Sequence, residues 1–188
     1  MYKTVLMLYF SISFLNAGMF DFDIDFDKLK YKFEAVETKV ELFKKVIFLD
    51  RDYREKLHSN RVIIMIIYDS SSHEKLAQKY AKALDSSSYD DYMISVITDS
   101  YQIKKVVPTA YLLVVNDLNA KTLAERLVEK KRVIFSVFSD QIKSCTATAN
   151  GVLMKGLLIN MSMVKRGKIK FKDGLFKIAK KWEDNDDE

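Results

Sequence analysis

The stretch "VIIMIIYDSSSHEKL", Val62 to Leu76, decides the fold of this chain. Its six consecutive apolar residues, Val62 to Ile67, predict a strand that is buried on both faces. Such strands are typical of parallel sheets that are covered by helices on both sides. A polar turn follows, and then an amphipathic helix from Glu74 to Leu84. The stretch therefore predicts one strand-turn-helix unit of an α/β fold.

The same alternation continues on both sides of this unit. Apolar residues at steps of three and four predict a helix over residues 29–47. The later elements are strands at 92–97, 110–115, 133–138 and 152–159, with helices at 118–128 and 175–182. We therefore expect a single α/β domain over residues 28–182, with a mainly parallel sheet of about five strands flanked by helices on both faces.

The first residues have the layout of a cleavable signal peptide. Lys3 precedes an apolar core from Thr4 to Leu15, and Ala17 offers a small residue for cleavage. We predict a signal peptide over residues 1–17 and export to the periplasm. No later run approaches 18 apolar residues, so no membrane span is expected in the mature chain.

Two acidic segments flank the predicted domain. Residues 18–27 include "DFDIDFD", whose alternation predicts a leader or a half-exposed edge strand. Asp23, Asp25, Asp27 and Glu34 also fall at offsets like those of a calcium loop, but Lys28 occupies the position that needs glycine. Residues 183–188, "EDNDDE", form an acidic tail.

The polar turn after the first buried strand has two interpretations. Ser71 and Glu74 are spaced as a capping box, which would start the helix, and Asp69 would favour the same helix end by its charge. The turn also follows the carboxyl end of a strand, where open α/β sheets bind ligands. In that interpretation a small ligand contacts Asp69, Ser70, Ser71, Ser72 and Asp117. Asn116 or Asp117 would cap the helix that follows.

Catalytic patterns are absent from the sequence. No Gly-x-Ser-x-Gly elbow and no glycine-rich phosphate loop follows a strand. His73 is interpreted as an exposed first-turn residue, and the single Cys145 as a buried or idle thiol. Asp69, Asp99 and Asp117 each follow a strand and would have to converge to bind a metal. We therefore predict no enzymatic activity, no metal and no cofactor.

The charge is modestly basic, with a formal net value of +5 for the whole chain. Nine lysines and arginines against one aspartate lie between Lys155 and Lys181. Export makes a nucleic-acid partner unexpected, so this segment predicts an ordinary solvated face or attraction to an anionic membrane surface or an acidic partner.

Two stretches resemble the YfiR family of small periplasmic α/β proteins. The first, Val40 to Ser71, has a helix, a charged segment with Asp50-Arg51, and then a hydrophobic strand. The second, Leu157 to Trp182, has Ile159-Asn160, an extended Phe171 and the pattern "LFKIA". Asn160 is expected to bond backbone groups where its strand turns into a short helix.

The resemblance implies regulation without catalysis. It implies that the chain binds and modulates an inner-membrane signalling protein, either a diguanylate cyclase of cyclic-di-GMP signalling or a histidine kinase. The contact surface would include Asp50, Arg51, Asp52 and Tyr53, together with the basic closing helix. The alternatives are a periplasmic small-molecule binding domain and a hydrolase using Asp69, Ser70 and His73. A homodimer is compatible with all three.

Overall fold

A computed structural model describes residues 26–85, 88–89, 92–100, 107–149 and 156–183, apart from the side chains of residues 26–35 and 88–89. The predicted signal peptide and residues 18–25 of the predicted leader lie outside these ranges, as do residues 184–188 of the acidic tail. Phe26 and Asp27, assigned to the leader, are the first residues of a helix. The described residues from Tyr31 onward belong to one compact unit.

Helices and strands alternate along the described residues. The helices are α1 (Phe26–Leu49), α2 (Ser71–Asp85), α3 (Asp117–Leu127), α4 (Met161–Arg166) and α5 (Leu175–Ile178). The strands are β1 (Arg61–Tyr68), β2 (Ser88–Tyr89), β3 (Tyr92–Ser100), β4 (Ala110–Val114), β5 (Val133–Ser136), β6 (Ala147–Ala149), β7 (Leu157–Asn160) and β8 (Ala179–Trp182). Short 3-10 turns lie at Tyr53–Lys56, Val128–Lys130 and Ser139–Ser144.

The strands form one mainly parallel sheet in the order β2-β3-β1-β4-β5-β6-β7-β8. The pairs β2–β3 and β6–β7 are antiparallel, and the other five pairs are parallel. The predicted fold class is confirmed, although the sheet has eight strands instead of about five. The additional strands have two to four residues, too short to give a periodic signal in the sequence.

The two faces of β1 point into two separate hydrophobic clusters. Val62, Ile64 and Ile66 pack in the cluster that also contains residues of α1 and α2. Met65 and Ile67 pack in the other, which contains residues of α3 and Met163 of α4. The unbroken apolar run of β1 is therefore explained, since both of its faces are covered by helices.

The predicted closing helix over residues 175–182 is wrong. Only Leu175–Ile178 is helical, and Ala179–Trp182 is an edge strand that pairs in parallel with β7. A short apolar pattern cannot separate one helical turn from a strand, and here pairing with a distant strand decides the outcome.

The predicted role of Asn160 is confirmed. This buried side chain ends β7 and accepts a hydrogen bond from the amide of Met163 at 3.0 Å, which caps α4. Its Nδ2 donates to the carbonyl of Ile142 at 2.9 Å and thereby ties the Ser139–Ser144 turn to the sheet.

Candidate functional site

The carboxyl ends of β1 and β4 meet at Asp69. Its carboxylate accepts hydrogen bonds from the Asn116 amide and the Asn119 side chain, both at 2.8 Å on Oδ2. The other oxygen, Oδ1, lies 2.5 Å from Nδ1 of His73. With only 4% of its side chain exposed, Asp69 joins the end of β1 to the first turns of α2 and α3.

These contacts keep Asp69 ionised. Burial raises the pKa of its carboxyl group, but the hydrogen bonds from Asn116, Asn119 and His73 outweigh burial, so the pKa lies below the ordinary value. The contact between Nδ1 and the carboxylate fixes the orientation of the His73 ring. The ring also contacts Phe138, with centroids 5.5 Å apart. His73 is therefore a partly buried, oriented side chain, and the prediction of an exposed histidine is wrong.

The three serines after Asp69 are all exposed. The helix cap is Ser70, whose Oγ accepts from the His73 amide at 3.2 Å, and not Ser71 as predicted. Ser72 Oγ lies 3.1 Å from Ser70 Oγ. Glu74 faces the Tyr68 hydroxyl at 3.4 Å, away from the amide that a capping box would require. Among the described side chains, no serine hydroxyl is hydrogen-bonded to the His73 ring.

Asp117 follows β4 and belongs to a neighbouring network. Its Oδ1 accepts from Nε2 of Gln141 at 2.9 Å, and the same Nε2 donates to the carbonyl of Val115 at 2.8 Å. The Ser136 hydroxyl donates to Gln141 Oε1 at 2.6 Å. Asn116 caps α3 by accepting a hydrogen bond from the Asn119 amide at 2.9 Å. Of the two caps that the sequence predicted, Asn116 and Asp117, the first is therefore confirmed.

Of the five predicted ligand residues, the structure thus connects Asp69 and Asp117 through the Asn116–Asp117 turn, and no hydrogen bond among the described residues joins the three serines to that turn. Sequence reasoning missed Asn119 and Gln141, whose partners are far away in the chain. It also missed Lys39 of α1, whose ammonium donates to the carbonyl of Val137 at 2.7 Å, next to Phe138. Burial lowers the pKa of Lys39, and the nearby Asp140 opposes this effect.

The chemistry-bearing residues do not assemble a metal centre. Asp69, Asp99 and Asp117 do not come together, and the described ranges contain no cluster of three or more His, Cys, Asp or Glu side chains. Cys145 is fully buried, as predicted, and burial raises the pKa of its thiol to about 12 despite hydrogen bonds from the Ser136 and Ala147 backbone. Its Sγ contacts the carbonyl of Gln141 at 3.1 Å.

The Asp50–Tyr53 segment lies near the amino ends of β1 and β4, opposite the turn that holds Asp69. Asp50 is buried and paired with Lys56, whose carbonyl accepts from Thr109 at the start of β4. Tyr53 is also buried, with its ring 5.3 Å from that of Phe48. Of the four predicted partner-binding residues, only Arg51 and Asp52 reach the surface.

Arg51 is held by the second segment that carries the family resemblance. Its amide donates to the carbonyl of Lys170 at 2.7 Å, and its Nε donates to that of Phe171 at 3.1 Å. The guanidinium also lies 3.5 Å from Asp173. Its side chain nevertheless remains 55% exposed.

A polar cleft of about 440 Å³ opens beside Asp117. One face of α3, the Ser139–Ser144 turn and α4 form its walls. Leu118, in the first turn of α3, is 75% exposed.

No helix among the described residues is both long and apolar enough to cross a bilayer.

No protein-family model matches the chain, and no curated protein matches it. Its structure is similar to that of a solved chain described as the ABC domain in complex with L-Trp from Streptococcus pneumonia. The TM-score is 0.49 and the sequence identity 12%, over 78% of this chain. The chain spans 59% of the length of that solved chain.

Proposed function

We propose that this chain is a non-enzymatic regulatory module of the periplasm that binds and modulates an inner-membrane signalling protein. The partner would be a diguanylate cyclase or a histidine kinase, as the resemblance to the YfiR family implies. The two stretches that carry the resemblance contact each other directly, because Asp50 pairs with Phe171 in an isolated antiparallel bridge. This bridge holds the segment that we propose to bind the partner against the backbone near Phe171.

The observation that carries this proposal is the state of Arg51. A guanidinium that is hydrogen-bonded to Phe171 and close to Asp173, yet more than half exposed, has already lost much of its rotamer freedom. Such a side chain binds a partner at a lower entropic cost than a freely rotating one. Arginine is also enriched among the residues that dominate protein interfaces.

The network around Asp69 supports a role without catalysis. Both carboxylate oxygens are occupied by donors that hold loops together. A nucleophile would need a hydroxyl within hydrogen-bonding reach of the His73 ring, and the Ser70 hydroxyl instead bonds the His73 amide and the Ser72 hydroxyl. The arrangement fits a scaffold that presents a surface.

Binding to membrane proteins tests the regulatory function. The purified protein is immobilised and exposed to detergent-solubilised inner membranes, and captured cyclases or kinases are identified and then assayed with and without it. We expect Arg51→Ala to reduce capture of the partner at least about tenfold. Arg126→Ala, an exposed arginine of α3, should leave capture unchanged. Equal capture by both variants, or no effect on the partner's activity, contradicts the proposal.

A small-molecule binding domain is the second candidate, because the cleft lies directly beside Asp117. Thermal denaturation with a library of small polar molecules tests it. A ligand at 100 times its dissociation constant stabilises the folded state by about 2.7 kcal/mol. A library in which no compound raises the unfolding midpoint rules this candidate out.

A further inference from the structure

The cleft beside Asp117 is lined by charges of both signs in equal number. Asp117, Lys121 and Glu125 project from one face of α3, at the spacing of successive helical turns. Asp140 and Lys143 belong to the Ser139–Ser144 turn, and Arg166 ends α4. All six side chains are exposed at the walls.

Several of these charges are left without an ionic partner. Within the part of the chain that the structure describes, Lys121, Glu125, Asp140 and Arg166 form no ion pair. The one polar contact of the Arg166 guanidinium there is to the sulfur of Met163, at 3.8 Å. Lys121 and Glu125 are one turn apart on α3 and still do not pair. The cleft therefore offers both cationic groups, Lys121 and Arg166, and anionic groups, Glu125 and Asp140, to a ligand.

The floor of the cleft is different in character. Ala124 and Met163 are buried and apolar, and the buried Gln141 uses its amide for Asp117, Val115 and Ser136. The floor is thus held rigid and leaves an apolar patch. A volume of about 440 Å³ lies within the range of small-molecule pockets, which spans roughly 300–1,000 Å³.

We propose that this cleft binds a small zwitterion, a molecule that carries one ammonium and one carboxylate group on a short apolar body. A ligand with a single charge would gain from one set of lining residues and be repelled by the other. A zwitterion satisfies both, with its carboxylate toward Lys121 and Arg166, its ammonium toward Glu125, and its body over Ala124 and Met163. The inference rests on the second candidate function and specifies its ligand class.

Amino acids are the probes for the test, because they are the smallest molecules of this kind. The purified protein is heated with each common L-α-amino acid at about 10 mM, which is 100 times a dissociation constant of about 0.1 mM. We expect at least one to raise the unfolding midpoint by about 5 °C or more. The amine that lacks its carboxylate and the acid that lacks its ammonium should both fail to do so.

Variants then locate the site. By calorimetry, Lys121→Met and Glu125→Gln should each weaken binding of the active amino acid at least about tenfold. Arg126→Met and Glu129→Gln are matched controls on exposed positions outside the cleft, and they should bind like the parent protein. Unfolding midpoints without ligand show whether each variant is folded.

The outcomes separate this inference from the functions proposed above. If no amino acid binds but another compound does, in a manner that depends on Lys121, the zwitterion is wrong and the second candidate stands. Equal binding of the matched acid would make the cleft an anion site and also overturn the inference. Binding that survives both cleft substitutions would place the ligand elsewhere. Capture of a membrane partner through Arg51 is independent of all three results.

Discussion

Two carboxylates, Asp50 and Asp69, stabilise opposite ends of the strands β1 and β4 in different ways. Asp50 is neutralised by an ammonium six residues away, Lys56, and the side chains of the pair are 3% and 7% exposed. Asp69 is held by backbone and side-chain amides 47 and 50 residues away and by His73. The first is a local ion pair sealed from water, whereas the second is a set of separate hydrogen bonds that connects distant loops. We expect the loss of a partner to lower the free energy of unfolding by a different amount at each end.

The largest effect is expected from Lys56→Met. The substitution leaves the Asp50 carboxylate buried with one described hydrogen bond, from the Asp52 amide at 3.1 Å. Removing one partner of a buried ion pair costs about 3–5 kcal/mol, and here only the more distant charge of Arg132 would still act on Asp50. Urea denaturation at neutral pH measures the free energy of unfolding. Lys75→Met, an exposed lysine of α2, is the control and should change it by less than about 0.5 kcal/mol.

A double variant sharpens this test. Asp50→Asn combined with Lys56→Met removes the unpaired charge, so it should be more stable than Lys56→Met alone. If Lys56→Met costs less than about 1 kcal/mol, water reaches Asp50 and the proposed contrast with Asp69 disappears.

A smaller loss is expected from Asp69→Ala, about 2–3 kcal/mol. The substitution removes the acceptor of three donors, and each hydrogen bond to a charged group contributes about 1.5–3 kcal/mol. The loss is smaller than the sum of these contributions, because the released donors lie near exposed serines where water can replace the carboxylate. Urea denaturation again measures the loss, with Glu129→Ala as the exposed control. Asn119→Ala should cost less in the Asp69→Ala background than in the parent protein. Additive losses would show that the two side chains act separately.

The pH dependence of stability tests the charge of Asp69 with Asp69→Asn, which keeps the shape of the side chain. A carboxyl group whose pKa is lower in the folded state stabilises the protein above its unfolded pKa, about 3.9. That stabilisation is lost as the pH falls through the folded pKa. The free-energy difference between the parent protein and Asp69→Asn should therefore narrow as the pH falls below about pH 4. A difference that stays constant to about pH 2 would exclude a lowered pKa for Asp69.

The sequence predicted what depends on local pattern. The apolar run of β1 and the amphipathic residues of α2 and α3 are each sufficient to define their elements. β6 was not predicted, β7 was predicted over residues 152–159, and β8 was taken for part of a helix. A segment of four residues or fewer forms a strand only because it pairs with neighbouring strands, and the local sequence does not show that pairing. The same holds for the candidate site. The cap at Asn116 depends on neighbouring residues and could be predicted, whereas Asn119 and Gln141 bond partners that are distant in the sequence and could not.

The start of α2 is where local reasoning came closest and still failed by one residue. Ser71 has the spacing of a capping box, but binding of Asp69 to the α3 turn leaves Ser70 at the cap position. This gives the smallest predicted effect. Ser70→Ala should lower the free energy of unfolding by about 1 kcal/mol, the usual contribution of a capping hydroxyl, and Ser71→Ala by less than about 0.5 kcal/mol. Urea denaturation of the two variants side by side provides the measurement. The reverse order would restore the capping box and imply that Asp69 does not set where the helix begins.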